Sequence, residues 1–152
     1  MYSKSDERGP DPYEEGMVQD PYVTASPVVG QVVAVLRGKL QDRGLRLIPQ
    51  PSRALKQGDI HEMVVTDEAA EPSQTVDRVA YLGFCEIIRG GVAKAGDRVQ
   101  IGEQMDAVLL GYDATHAPNH YNIVFSASSL RDGVDSGLKL GMSVHFRGTM
   151  TE

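Results

Sequence analysis

From residue 28 onward, short apolar runs alternate with breaks that carry glycine, proline or aspartate. Short runs rich in β-branched residues predict strands. The first is Val28-Val29-Gly30-Gln31-Val32-Val33-Ala34-Val35-Leu36. Leu36, Leu40 and Gly44 share a spacing of four, so residues 34–43 also carry a helical alternative. The preferred reading there is a strand followed by a helical turn. Leu45-Arg46-Leu47-Ile48 is a short strand stopped by Pro49 and Pro51. Ile60-His61-Glu62-Met63-Val64-Val65-Thr66 is another, and a polar loop from Asp67 to Thr75 follows it. Val76 to Ile88 is the longest expected strand. Asp77 and Arg78 place a charge on each of its faces, and beyond Val79 both faces are apolar, as in a central or curved strand. Gly83 marks an expected bend or bulge. Arg98–Ile101, Ala107–Gly111, Tyr121–Phe125 and Ser143–Phe146 complete the series. So many short strands predict an all-β fold. The expected form is a small closed or partly open β-barrel over residues 27–152, with a sandwich as the alternative.

Residues 1–26 read differently. Three prolines, two glycines and six acidic residues leave little to bury, so a mostly irregular acidic arm is expected. Its Tyr13, Met17, Val18, Tyr22 and Val23 are candidates for packing on the body or on a second subunit, which makes a homodimer an expected assembly.

Ala54-Leu55-Lys56-Gln57-Gly58-Asp59 and Val92-Ala93-Lys94-Ala95-Gly96-Asp97 repeat one apolar-Lys-x-Gly-Asp pattern, each ahead of a strand. The glycine accepts positive φ, and the aspartate can take backbone amides as the strand begins. Duplication and convergence on one turn solution both fit the pattern.

Charge and composition narrow the functional classes. The formal net charge is -6 and Lys and Arg do not cluster, which argues against a nucleic-acid partner. No apolar segment reaches the roughly 20 residues that span a bilayer as a helix. The N-terminus runs into Gly9-Pro10-Asp11-Pro12 in place of an apolar targeting segment. No membrane partner is therefore expected, and the expected location is cytoplasmic. Cys85, the one cysteine, lies in an apolar run, where a buried inert thiol is expected.

The densest candidate chemistry is Tyr112-Asp113-Ala114-Thr115-His116-Ala117-Pro118-Asn119-His120-Tyr121-Asn122. His116 and His120 are four apart. Pro118 argues against a regular helix between them, but a proline-shaped turn can still aim both imidazoles inward. Two histidines need a further ligand for a metal site, and His61, Asp113 and Glu62 are the available additions. Neighbours on an extended strand point oppositely, so His61 and Glu62 do not both ligate without a bulge. One reading is a divalent transition metal on His116, His120 and either His61 or Asp113, with Glu62 orienting a ligand or moving a proton. A second has no metal: a histidine beside a carboxylate does acid–base work, with Asn119 and Asn122 holding a small-molecule ligand. A third is a structural turn, in which Asp113 accepts from Thr115 or His116. Tyr81, Tyr112 and Tyr121 are candidates for a pocket wall, and Arg78 and Arg89 for pairing with an anion.

Ile87 to Gly102, with Gly90-Gly91 and Lys94-Ala95-Gly96-Asp97, resembles the hairpin of the small β-barrel second domain of translation elongation factors. That likeness implies barrel geometry; the chain has no Gly-x-x-x-x-Gly-Lys-Ser/Thr phosphate loop. Gly96 to Phe125 is loosely similar to the sugar-alcohol-specific IIA protein of the bacterial phosphotransferase system, but lacks its phosphorylated His-Pro-Gly pattern. Across the body, Gly58-Asp59-Ile60-His61-Glu62, Val79-Ala80-Tyr81-Leu82-Gly83-Phe84 and Thr115-His116-Ala117-Pro118-Asn119-His120 resemble a small family of uncharacterised bacterial β-rich proteins. That resemblance implies a place beside specialised-metabolite pathways and assigns no reaction. Two classes stay open: a small isomerase, cyclase or lyase working through His116, His120 and Glu62, and a non-catalytic ligand-binding or structural barrel.

Overall fold

The computed structural model describes residues 26–103 and 105–148. Their regular structure is all β: β1 (Val28–Val35), β2 (Lys39–Leu40), β3 (Leu45–Arg46), β4 (Ser52–Leu55), β5 (Ile60–Thr66), β6 (Thr75–Val76), β7 (Val79–Arg89), β8 (Gly91–Lys94), β9 (Arg98–Ile101), β10 (Met105–Asp113), β11 (Asn122–Ser126) and β12 (Ser143–Gly148). The expected arm, residues 1–26, lies outside the described residues except for Ser26. Among the described residues no helix is long and apolar enough to cross a membrane.

Seven strands close into a hydrogen-bonded ring in the order β1-β12-β9-β10-β11-β5-β7, with β7 returning to β1. Closure satisfies the backbone groups that an open sheet would leave at its edges. The 11 residues of β7 make the closure. One of its edges pairs with β5, and the other serves β1 and then β2. The register slips at Gly83, where Met63 pairs with Gly83 but Val64 pairs with Tyr81. The bulge expected at this glycine is therefore present, and it lets one long strand bend around the ring. Neighbours in the ring are antiparallel with one exception, the parallel pair β5–β11.

The main core fills the ring with Val32, Met63, Leu82, Ile87, Leu109, Ile123, Phe125 and Phe146. Alternation on the strands sends their other faces outward. There β3 and β6 cover a second cluster of Leu45, Leu47, Val64, Val76, Val79, Leu110 and Val124. Cys85 and Tyr112 belong to the main core. Burial pushes the Cys85 thiol up to about 12, so it is inert at neutral pH, as its apolar run suggested.

The helical turn expected after β1 does not form. Leu36 N–H donates to Leu82 O at 3.0 Å and Tyr81 N–H to Gly38 O at 3.0 Å, while Asp132 Oδ2 accepts from Gly38 N–H at 2.8 Å. Sheet pairing to a distant strand overrides the spacing of four. The expected strand over Val76–Ile88 divides, because Thr75–Val76 turns away to pair with β3.

The repeated Lys-x-Gly-Asp segments fold alike. Lys56 N–H donates to Asp59 Oδ2 at 3.0 Å, and Lys94 N–H to Asp97 Oδ2 at 2.9 Å. Each aspartate amide returns to its lysine carbonyl, at 2.9 and 3.0 Å. Gly58 and Gly96 take φ of 94° and 97°. The strands leading in, β4 and β8, pair antiparallel with the equivalent residues Ala54 and Val92 as direct partners, which is the register of a local two-fold. Neither β4 nor β8 was among the expected strands, since both are short and carry few β-branched residues.

Candidate functional site

The site forms where β10 ends and where β5 and β11 begin side by side. The 114–121 connection bridges β10 and β11, and backbone bonds tighten it. Asn119 N–H donates to His116 O at 2.9 Å, and His120 N–H reaches the same oxygen at 3.3 Å. The Ala117–Pro118 peptide bond is cis. As expected from Pro118, the segment is a turn, but only His120 is half-buried while His116 stays exposed beside it. Their rings stack with centroids 5.0 Å apart and an interplanar angle of 29°.

Glu62 completes the group. His120 Nε2 lies 3.2 Å from Glu62 Oε1, and both side chains are largely buried. Glu62, His116 and His120 each offer a donor atom, and these atoms all lie within 4.8 Å of one another. Phe84 meets the His120 ring edge-on at 5.2 Å. Asn119 Nδ2 lies 2.9 Å from His120 Nδ1, so the amide and the carboxylate fix the imidazole from both sides. The parallel register sets Glu62 against Asn122.

The other candidate ligands stand apart. His61 points to the opposite side of β5 from Glu62, as alternation requires, and its Nδ1 accepts the Tyr121 N–H at 3.1 Å. Burial lowers its pKa from 6.5, with Asp59 opposing and Arg53 reinforcing that shift. Asp113 is buried and committed to the turn. It accepts from Thr115 N at 3.2 Å, Thr115 Oγ1 at 2.8 Å and Asn122 Nδ2 at 2.9 Å. The third donor beside the two histidines is therefore Glu62 in place of His61 or Asp113.

Two expected ligand-binding tyrosines also have other duties. Tyr112 is fully buried and its hydroxyl donates to Ala93 O at 2.9 Å. Tyr81 accepts from Arg43 Nε at 3.2 Å and packs on the outer cluster. Arg78 is held by Asp67 at 2.9 Å. Asn122 is buried beside the site, and its Oδ1 has no hydrogen-bond partner. A cavity of about 400 Å³ lies at the far end of β10, between Ile101, Leu138 and Met142 and the polar Ser128, Ser129 and Arg131. The pocket expected beside the histidine turn is not this one. Phe84 and Arg53 were missed in the sequence. Phe84 reads there as a strand residue, and Arg53 lies in a segment with no strand signal.

A His/His/carboxylate cluster in which Glu62 is buried, His120 half-buried and His116 exposed suggests metal or small-molecule binding on this seven-strand barrel. The chain belongs to a family of unknown function (DUF6917), whose model matches residues 22–147. No curated protein and no solved structure matches it. The resemblance of the body to an uncharacterised β-rich family thus holds, and no comparison ties the Ile87–Gly102 hairpin to translation factors.

Proposed function

We propose that Glu62, His116 and His120 hold a divalent transition metal through which the protein binds a small molecule. The supporting observation is the convergence of two imidazoles and one carboxylate within 4.8 Å. Two nitrogens and one oxygen suit zinc, iron, nickel or manganese, and three protein ligands leave positions open for an exogenous oxygen donor. Phe84 packs edge-on against the His120 ring and gives the site one apolar neighbour. With Nε2 of His120 committed to a metal, its Nδ1 carries the proton, and Asn119 serves it by turning its amide oxygen inward. A metal there would polarise a carbonyl or carboxylate, which fits isomerase, cyclase or lyase chemistry. Glu62 is then a ligand, where the sequence suggested a base. A role in specialised metabolism, implied by the resemblance of the body, belongs to the same reading.

One contact favours a second reading. The 3.2 Å approach of His120 Nε2 to Glu62 Oε1 is also the geometry of a metal-free acid–base pair. Elemental analysis of protein purified without chelator separates the two. Near-stoichiometric metal that is lost in His116→Ala and His120→Ala supports the metal centre. Metal below about 0.1 equivalent leaves the acid–base pair as the better account.

A further inference from the structure

On the side of β5 opposite that cluster, we propose a second site: Arg53, His61 and Tyr121 bind a small carboxylate. Alternation on β5 and in the chain entering β11 builds the two sites back to back. Glu62 and His120 go to one side, His61 and Tyr121 to the other. The second site is independent of whether a metal occupies the first.

Hydrogen bonding fixes the His61 tautomer. His61 is only 4% exposed. Its Nδ1 accepts the Tyr121 N–H at 3.1 Å, so the proton of the neutral ring resides on Nε2. Nε2 is buried with no hydrogen-bond partner. The Asp59 carboxylate stands off at 3.8 Å, and its Oδ2 already accepts the Lys56 N–H at 3.0 Å. His61 therefore presents a buried N–H donor with no acceptor within hydrogen-bond distance, the nearest carboxylate being Asp59.

Arg53 supplies the charge. Its guanidinium lies over the Tyr121 ring, 3.6 Å from the centroid. Stacking uses the flat face of a guanidinium and leaves its N–H bonds free in the plane. Arg53 Nε is also buried without a hydrogen-bond partner, and among the described residues no carboxylate forms an ion pair with Arg53. The ring that carries Arg53 meets His61 edge-on, with centroids 6.2 Å apart and an interplanar angle of 74°.

Two buried donors thus border one aromatic ring, and each is costly to leave unpaired. An acceptor with two oxygens in one plane answers both. A carboxylate does this, using the bidentate geometry that arginine favours and adding charge to each bond. Phosphate fits less well, because its extra oxygens would need further donors.

The test uses the full-length, ¹⁵N-labelled chain, kept metal-free with chelator and titrated with sodium acetate. Sodium chloride at matched ionic strength is the control. Saturable shifts of both the Arg53 Nε–H and the His61 imidazole resonances are expected with acetate, and none with chloride. Arg53→Met should weaken the acetate response at His61 by about tenfold or more. If that variant does not fold, Arg53→Lys keeps the charge but loses the planar fork, and should also weaken it. Equal responses to both salts, a response without saturation, or acetate affinity unchanged by the Arg53 substitution would overturn the site and leave a buried water between the donors. Because the protein is metal-free throughout, failure here leaves the metal reading intact. Loss of metal binding in His116→Ala does not touch this one.

Discussion

The Lys56–Asp59 and Lys94–Asp97 turns share their hydrogen bonds and their glycine conformation, yet they launch strands of different character. Two residues past each aspartate the chain enters the barrel. One turn places His61 there and the other Val99, exposed by 4% and 2%. One residue further, Glu62 corresponds to Gln100, which accepts from Arg147 at 2.7 Å on the barrel surface. Val99 shows what the fold asks of that inward position: an apolar side chain. A buried imidazole with an unpaired nitrogen is penalised there. Where the second turn has an apolar side chain, the first has an imidazole whose Nδ1 accepts the Tyr121 N–H. The turns are scaffold, and the first has been given polar residues where the second has core and surface.

The widest separation between the two turns is expected in metal binding. Glu62→Ala should weaken zinc affinity by more than about a hundredfold, beyond the usual effect of an outer-sphere partner. Gln100→Ala, at the equivalent place, should leave it unchanged in a competition titration with a chromophoric chelator. Equal effects would show that Glu62 acts through the fold alone.

Next in size is the capping aspartate. The Asp97 side chain is 5% exposed and also pairs with Lys94 Nζ at 3.2 Å, whereas the Asp59 side chain is 30% exposed. Urea unfolding should show a loss of about 2–3 kcal/mol for Asp97→Ala and about 1 kcal/mol for Asp59→Ala. The reverse order would mean that Asp59 does more than close its turn.

The glycines should then behave alike. Gly58→Ala and Gly96→Ala each force a side chain to φ near 95°, at about 1 kcal/mol apiece. At Gly58 no atom lies within 4 Å of the added carbon, so the backbone alone sets the loss. Clearly unequal losses would break the equivalence of the two turns.

His61→Val, which writes the second turn's residue into the first, should shift stability least near neutral pH. The lost acceptor for Tyr121 N–H and the gained apolar burial offset to within about 1 kcal/mol. The difference should appear in acid. Burial holds native His61 below its ordinary 6.5, so the unfolded chain binds the proton first. This stability is present above 6.5 and is lost as pH falls through the native value. The valine variant should lack that component in unfolding curves measured from pH 7 downward, and an unchanged acid profile would contradict it.

Local chemistry in the chain determined the all-β class, most strand positions, the bulge at Gly83, the repeated turn and the inert thiol. Each follows from side-chain volume, alternation or a glycine's φ within a few residues. It also determined that His116 and His120 lie together, since both sit in one short turn around Pro118. Alternation further required that His61 and Glu62 part company. Tertiary structure alone chose between them. The Glu62 and His120 side chains meet across 58 residues of sequence, because β5 and β11 run parallel with Glu62 against Asn122. A register shift of one residue would have presented His61 instead. The same long-range pairing took Tyr112 into the core and Asp113 into the turn, and brought Arg53 from a strand with no sequence signal onto the Tyr121 ring. Strand order and register are set by the summed packing of a closed ring, and no short stretch of sequence encodes that sum.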